Sequence, residues 1–146
     1  QKDLSILEKC NCDIVFLPDD KEMYPTEDTR TFDFGGLESV MEGKHRPGHF
    51  QGVAKIVTKL FDIVKPHNAY FGEKDLQQYT IINYFTKQLD IPVNIIPCPI
   101  VRETDGLAMS SRNAYLKPGQ RAAALSLSQS LREAQAQVAA GLIQAE

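Results

Sequence analysis

There is no tryptophan in this chain, and only three cysteines and three histidines. Cys10, Cys12 and Cys98 are an odd number, and Cys10-x-Cys12 has no second pair at zinc spacing. A disulfide framework is therefore not expected. Buried, reduced thiols in a cytoplasmic protein are. His45, His49 and His67 show no H-E-x-x-H spacing, so no protein-built metal cage is expected. Positive charge is not in excess either. Sixteen Lys+Arg stand against nineteen Asp+Glu, a net charge of −3, which weighs against a dedicated nucleic-acid binder. No apolar run approaches the roughly 18 residues that span a bilayer, so no membrane helix and no membrane partner are expected. No secretory signal pattern is expected at the start.

What remains is an ordinary globular composition, with 42% apolar and 24% charged residues in 146. A chain of this length can bury roughly two-thirds of its surface. Both ends read as cuts within a longer protein, because the chain starts Gln1-Lys2-Asp3 and stops at Glu146 in an Ala/Gln-rich stretch.

Along the chain, Leu4, Leu7 and Cys10 share one face of a helix end. Asp13-Ile14-Val15-Phe16-Leu17 is a continuous apolar run closed by Pro18, the pattern of a strand buried on both faces. A polar loop follows to residue 30. Thr31-Phe32-Asp33-Phe34 alternates before Gly35-Gly36 and predicts a short exposed strand. Leu37 to Met41 predicts one or two helical turns. The clearest helix covers Val53 to Val64. Val53, Ile56, Val57, Leu60, Phe61 and Val64 form one apolar stripe, and Lys65-Pro66 ends it. Ala69-Tyr70-Phe71 predicts a strand. Residues 75–89 predict a helix with Ile82, Phe85 and Leu89 inward. Residues 92–96 predict another strand.

That alternation implies an α/β fold with a parallel sheet and helices on both faces. After residue 100 the character changes. Thr104-Asp105-Gly106 between two apolar runs is a hairpin signal. Residues 119–140 predict a helix with Leu127, Leu131, Ala134 and Val138 on one side and Gly141 as its stop. A domain boundary is expected near residue 100.

Three segments carry candidate chemistry, and ligands in open α/β sheets bind beyond the carboxyl ends of strands. In 71–78, Gly72 permits a sharp turn, the helix start offers free N–H groups to an anion, and Lys74 adds charge. The alternative there is a solvated first turn capped by Asp75. In 109–113, Ser110, Ser111 and Arg112 suit a polyphosphate, with Arg forking two N–H groups onto its oxygens. The alternative is a polar loop in which a serine caps a helix. In 42–50, Arg46 and His49 can meet an anion, or belong to a surface loop.

Together, E-G-K-H-R-P-G-H-F-Q-G-V (42–53), F-G-E-K-D-L-Q-Q (71–78) and V-R-E-T-D-G-L-A-M-S-S-R-N-A-Y-L (101–116) resemble the pantothenate synthetase (pantoate–β-alanine ligase) family. The likeness runs over almost the whole chain and weakens after about residue 120. It implies a Rossmann-like parallel sheet of the nucleotidyltransferase, adenylate-forming superfamily. Residues 1–100 would be the C-terminal part of that nucleotide- and pantoate-binding domain, and 101–146 the beginning of a smaller α+β lid domain. It also implies ATP-dependent condensation of pantoate with β-alanine through a pantoyl adenylate, with Mg²⁺, releasing AMP and pyrophosphate, in a homodimer.

By the same resemblance, Lys74 meets the ATP phosphates and the acyl adenylate. Asp75 and the Gly72 backbone meet the ribose, and Gln78 hydrogen-bonds pantoate. The Val101 and Met109 backbones meet the adenine. Ser110, Ser111 and Arg112 form a phosphate-binding signature. Arg46 and His49 lie near the pantoate site. A P-T-M-G-x-L-H-x-G-H type segment of the family, with two histidines for the adenylate transition state, has no match here, nor has the end of the C-terminal domain. These 146 residues alone are therefore expected to show little ligase activity. The other readings are a non-catalytic nucleotide-binding fragment and a different adenylyltransferase of the superfamily.

Overall fold

The computed structural model describes residues 2–142. Its sheet has two parallel strands, β1 (Asn68–Gly72) and β2 (Asn94–Cys98), paired from Asn68 opposite Asn94 to Gly72 opposite Cys98. Six α-helices accompany it: α1 (Lys2–Lys9), α2 (Asp20–Met23), α3 (Met41–His45), α4 (His49–Val64), α5 (Leu76–Gln88) and α6 (Pro118–Ala139). Short 3-10 turns cover Leu37–Ser39, Glu73–Asp75 and Ser111–Tyr115. Helix α5 is the crossover between the strands, as parallel pairing requires. No described helix is long and apolar enough to cross a membrane.

The core sits between α4, α5 and the segment before α3. Phe34, Phe50, Ala54, Val57, Phe61, Ile81, Ile82 and Phe85 form one buried cluster. Phe32 and Phe34 both pack near Phe85, with ring centroids 5.7 and 6.4 Å from it. Of the apolar stripe read in α4, Val57 and Phe61 are buried and Val53 and Ile56 pack against the cluster, while Val64 is more than half exposed; the helix begins earlier, at His49. Gly48, at φ +77°, turns the chain into α4 in a conformation that a side chain would resist. Lys65 ends the helix in the left-handed region, its N–H bonded to the Phe61 carbonyl at 2.8 Å.

Several expectations are corrected. Residues 13–17 form no strand, and Ile14 and Leu17 are 85% and 76% exposed. A strand apolar on both faces needs sheet neighbours, and no described strand pairs with this run. Thr31–Phe34 is not a strand either, and Phe34 is buried rather than exposed. The alternation there is real, but a side chain supplies the hydrogen bonds of the missing ladder. Gln51 accepts the Phe32 N–H at 3.0 Å and donates to its carbonyl at 2.7 Å.

Leu89 lies half exposed beyond the last turn of α5. Strand β2 starts at Asn94 instead of residue 92. Cys10 and Cys12 are exposed and Cys98 half-buried, so the free thiols are not core residues. On α6 the apolar side is left open, with Leu127, Leu131 and Val138 all about two-thirds exposed, while Ser128 is buried. The hairpin reading holds: Arg102 bridges Ala108 in antiparallel fashion, Glu103 N–H meets the Leu107 carbonyl at 2.8 Å, and Gly106 sits at φ +92°.

Candidate functional site

A cleft of about 570 Å³ opens where β1 gives way to α5. Its lining comes from three separated stretches: Met41, Glu42, Arg46, His49 and Phe50; Lys74 to Gln78; and Arg112. Chain topology explains the gathering. Strand β1 delivers 73–75 to the carboxyl edge of the sheet, the α3–α4 turn crosses beside it, and the hairpin after β2 returns Arg112 to the same side.

Two helix starts face this cleft. His49 and Phe50 begin α4, and Leu76, Gln77 and Gln78 begin α5. Neither start has a side-chain cap. Gly48 has no side chain, and Asp75 stands at the N-cap of α5 without accepting a hydrogen bond there. Uncapped N–H groups with a positive dipole end favour an anion. The capping alternative for Asp75 therefore fails. Its carboxylate instead lies 3.7 Å from the Lys74 ammonium, and both groups are accessible to solvent.

Arg46 is held from its own side of the cleft. One guanidinium nitrogen lies 3.5 Å from Glu42 and 3.4 Å from the His49 ring nitrogen Nε2. The His49 ring stands 4.9 Å from that of Phe50, which is anchored in the core. Arg46, Lys74 and Arg112 thus bring three positive charges to a lining that also holds the carboxylates of Glu42 and Asp75. Such a set suits a polyanionic ligand. Gln78, in the first turn of α5, lines the same cleft as Lys74, which sits in the 3-10 turn before that helix, so both can reach one molecule.

Of the sequence candidates, Arg46, His49, Lys74, Asp75, Gln78 and Arg112 meet in this cleft. Gly72, Val101, Met109, Ser110 and Ser111 lie outside its lining. Gly72 makes no sharp turn. Its backbone is extended at φ −71°, ψ 131°, and an added Cβ would touch nothing within 4 Å. Val101 and Met109 are exposed and paired through the Met109 N–H to the Val101 carbonyl at 2.9 Å. Ser110 caps the turn 111–115, its Oγ accepting the Arg112 N–H at 3.3 Å, so the capping role read for this segment is present beside the open Arg112 side chain.

Sequence reasoning missed Gln77 and Glu42. The Gln77 carboxamide ties α5 to the segment before α3. It donates to the Leu37 and Val40 carbonyls, both at 2.8 Å, and accepts the Glu42 N–H at 3.0 Å. Two consecutive glutamines point about 100° apart around a helix, so one can brace the wall while the other faces the cleft. That offset was the available signal.

The family model described as pantoate-beta-alanine ligase matches residues 1–146. The chain belongs to the pantoate–β-alanine ligase family. Pantothenate synthetase of Acetivibrio thermocellus is 54% identical over 135 residues, which are 92% of this chain and 48% of that protein. Pantothenate synthetase of Herpetosiphon aurantiacus is 48% identical over 99% of this chain and 52% of its own length. Among solved structures, the Thermus thermophilus pantothenate synthetase superposes with a TM-score of 0.90 at 43% identity, covering 96% of this chain and 51% of that one. A Francisella tularensis pantoate-beta-alanine ligase, complexed with beta-gamma ATP and beta-alanine, superposes with a TM-score of 0.81 at 39% identity over 90% of this chain and 51% of that one. The chain thus spans about half the length of the relatives it matches. The α/β architecture with a parallel sheet agrees with these neighbours, and the family is one of ligases.

Proposed function

We propose that this chain supplies one side of the site at which ATP and pantoate react, and then β-alanine, in an ATP-dependent pantoate–β-alanine ligase. The observation that carries this reading is the convergence of Lys74, Gln78, Arg46, His49 and Arg112 on one cleft at the carboxyl end of β1.

In the first step the pantoate carboxylate attacks the α-phosphorus of ATP. An O–P bond forms, the bond to the β-phosphate oxygen breaks, and pyrophosphate leaves. Negative charge grows on the phosphate oxygens, and preorganised cations are the principal means of lowering such a barrier. Lys74 and Arg112 fill that role, with the uncapped helix starts behind them. Ser110 and Ser111, on the turn that carries Arg112, take the phosphates in this reading. Gln78, Arg46 and His49 hold pantoate, Asp75 with the Gly72 backbone takes the ribose, and the Val101 and Met109 backbones flank the adenine. In the second step the β-alanine amine attacks the acyl carbon of the pantoyl adenylate, forming the amide, losing a proton and expelling AMP. The activated species is a mixed anhydride of the substrate, so no enzymic nucleophile is required.

Mg²⁺ fits this cleft as a passenger of ATP. Mg²⁺ generally prefers carboxylate and phosphate oxygens together with waters, and Glu42 and Asp75 are the carboxylates in the lining that would hold it. When bound it neutralises phosphate charge.

The reading divides the chain near residue 100 into a nucleotide- and pantoate-binding part and the start of a lid, and places the intact enzyme in the cytoplasm as a homodimer with small-molecule partners. Pantoate-dependent release of pyrophosphate from ATP by the intact enzyme tests it. Release that is independent of pantoate overturns the assignment.

A further inference from the structure

We propose that Glu103, Asn113 and Arg121 form a positioning relay that fixes the Arg112 turn against the cleft and couples it to helix α6. The inference rests on the ATP-site reading above. It concerns residues that never line the cleft themselves.

The geometry is a chain of charge-assisted bonds. Arg121, in the first turns of α6, donates through Nη2 to Glu103 and to Asp105, each at 2.6 Å, and through Nε to Asp105 at 3.1 Å. Its one guanidinium thereby ties Glu103, in the first arm of the hairpin, to Asp105 in the turn. Glu103 divides its two oxygens: Oε2 takes Arg121, and Oε1 accepts the Asn113 carboxamide at 2.9 Å. The same Asn113 nitrogen also donates to the Ala108 carbonyl at 3.0 Å. Asn113 is the chain neighbour of Arg112, and its own N–H bonds the Ser110 carbonyl at 3.0 Å. The turn that brings Arg112 to the cleft lined by Lys74 and Gln78 is therefore moored to the hairpin and through it to α6.

Two features separate this from a simple surface ion pair. The side chains of Glu103, Asp105 and Arg121 are each about one-third exposed, a setting in which charge pairs add little stability. Yet every carboxylate oxygen of Glu103 is assigned to a different partner, and Asp105 Oδ1 is already engaged by the Leu107 N–H at 3.1 Å. A forked guanidinium fixes orientation in a way that a lysine ammonium does not. The relay thus defines where the turn stands more than how firmly the domain folds.

The test uses the intact enzyme with Arg121→Met, Arg121→Lys, Asn113→Ala and the double variant Arg121→Met/Asn113→Ala. Lys74→Ala serves as the control for the site reading. Arg121→Met and Asn113→Ala are each expected to lower kcat for pantoate-dependent pyrophosphate release or raise the KM for ATP by roughly tenfold. The pantoate KM should stay within twofold, and the thermal midpoint within a few degrees. Arg121→Lys should recover only part of the loss. The double variant should fall well short of the product of the single effects, because both changes cut one chain. ATP kinetics within twofold of the unmodified enzyme in both single variants overturn the relay. So do losses shared equally between ATP and pantoate and matched by a collapse in thermal midpoint, which mark a purely structural role. If Lys74→Ala is also without effect, the site reading fails; a strong Lys74→Ala effect beside inert Arg121 and Asn113 variants sinks the relay alone.

Discussion

Gln77 accepts the backbone N–H of Glu42 at 3.0 Å across 35 residues of sequence. With its two donations to Leu37 and Val40, this carboxamide uses both N–H groups and its oxygen on one segment. The segment so held carries Met41 at φ +50° and leads directly into Glu42 and Arg46 on the cleft wall. Gln77→Ala should cost roughly 1–3 kcal/mol, since each net hydrogen bond contributes about 1 kcal/mol and water can replace part of the set. It should also raise the pantoate KM several-fold by loosening Arg46. Urea denaturation and steady-state kinetics on the intact enzyme read both effects, and an unchanged denaturation midpoint would remove Gln77 from the wall.

Lys74→Ala should slow adenylate formation at least about a hundredfold, because loss of one preorganised group facing developing charge typically costs about 3 kcal/mol. Pantoate-dependent pyrophosphate release is the measurement. Near-normal rates would return Lys74 to a solvated turn paired only with Asp75.

Gln78→Ala should act chiefly on pantoate. Its place beside Lys74 in the cleft lining puts it within reach of a ligand already held by that lysine. The expected outcome is a raised pantoate KM with ATP affinity within twofold. Weakened ATP binding at unchanged pantoate KM would contradict the placement.

Gly43→Ala should be severely destabilising. Gly43 is buried in α3, and a Cβ there would stand 2.1 Å from the Glu38 carbonyl oxygen and 2.7 Å from its carbon. Both atoms are backbone, so no side chain can move aside, and the 3-10 turn would have to separate from α3. Soluble yield and thermal midpoint report this. An alanine variant as stable as the parent would show that the approach is looser than described.

The Arg121 cluster should shape stability on the acid side. Its hydrogen bond to Arg121, with help from Asn113, holds the Glu103 carboxyl below the usual carboxylate range. The Leu107 N–H first, and then Arg121, do the same for Asp105. A carboxyl whose pKa is lower in the folded state adds stability that is fully present above its unfolded pKa, near 4, and is lost as pH falls through the folded value. Arg121→Met should therefore lower stability modestly at neutral pH, flatten its fall below pH 4 and bring the two proteins closest together in acid. Denaturation midpoints between pH 2.5 and 7 give the comparison; parallel curves for the two proteins would exclude the coupling.

The periodic and local signals in this chain were sufficient by themselves for several elements. Apolar positions at helical spacing placed the α4 helix and, through Val53, Ile56, Val57 and Phe61, its core face; Asp105-Gly106 placed a hairpin turn, and the run 71–78 placed a strand-to-helix junction. In each case neighbouring residues decide the outcome. Helix spacing, turn chemistry and strand ends are short-range properties, and the three long motifs identified the family for the same reason.

What tertiary structure alone decided was which of these pieces meet. The run 13–17 has the composition of a buried strand but stays open, because a strand is completed by partners rather than by its own residues. Phe34 goes to the core because Gln51, seventeen residues on, supplies the hydrogen bonds that a neighbouring strand would have given to Phe32. Ser110 and Arg112, read as one clamp, part company: the hydroxyl turns to its own backbone, and the guanidinium lines a cleft otherwise built from Met41 to Phe50 and Lys74 to Gln78, far earlier in the chain. A side chain's direction at such a site depends on long-range packing and on which donors are already taken, and neither is written in the spacing of residues along the chain.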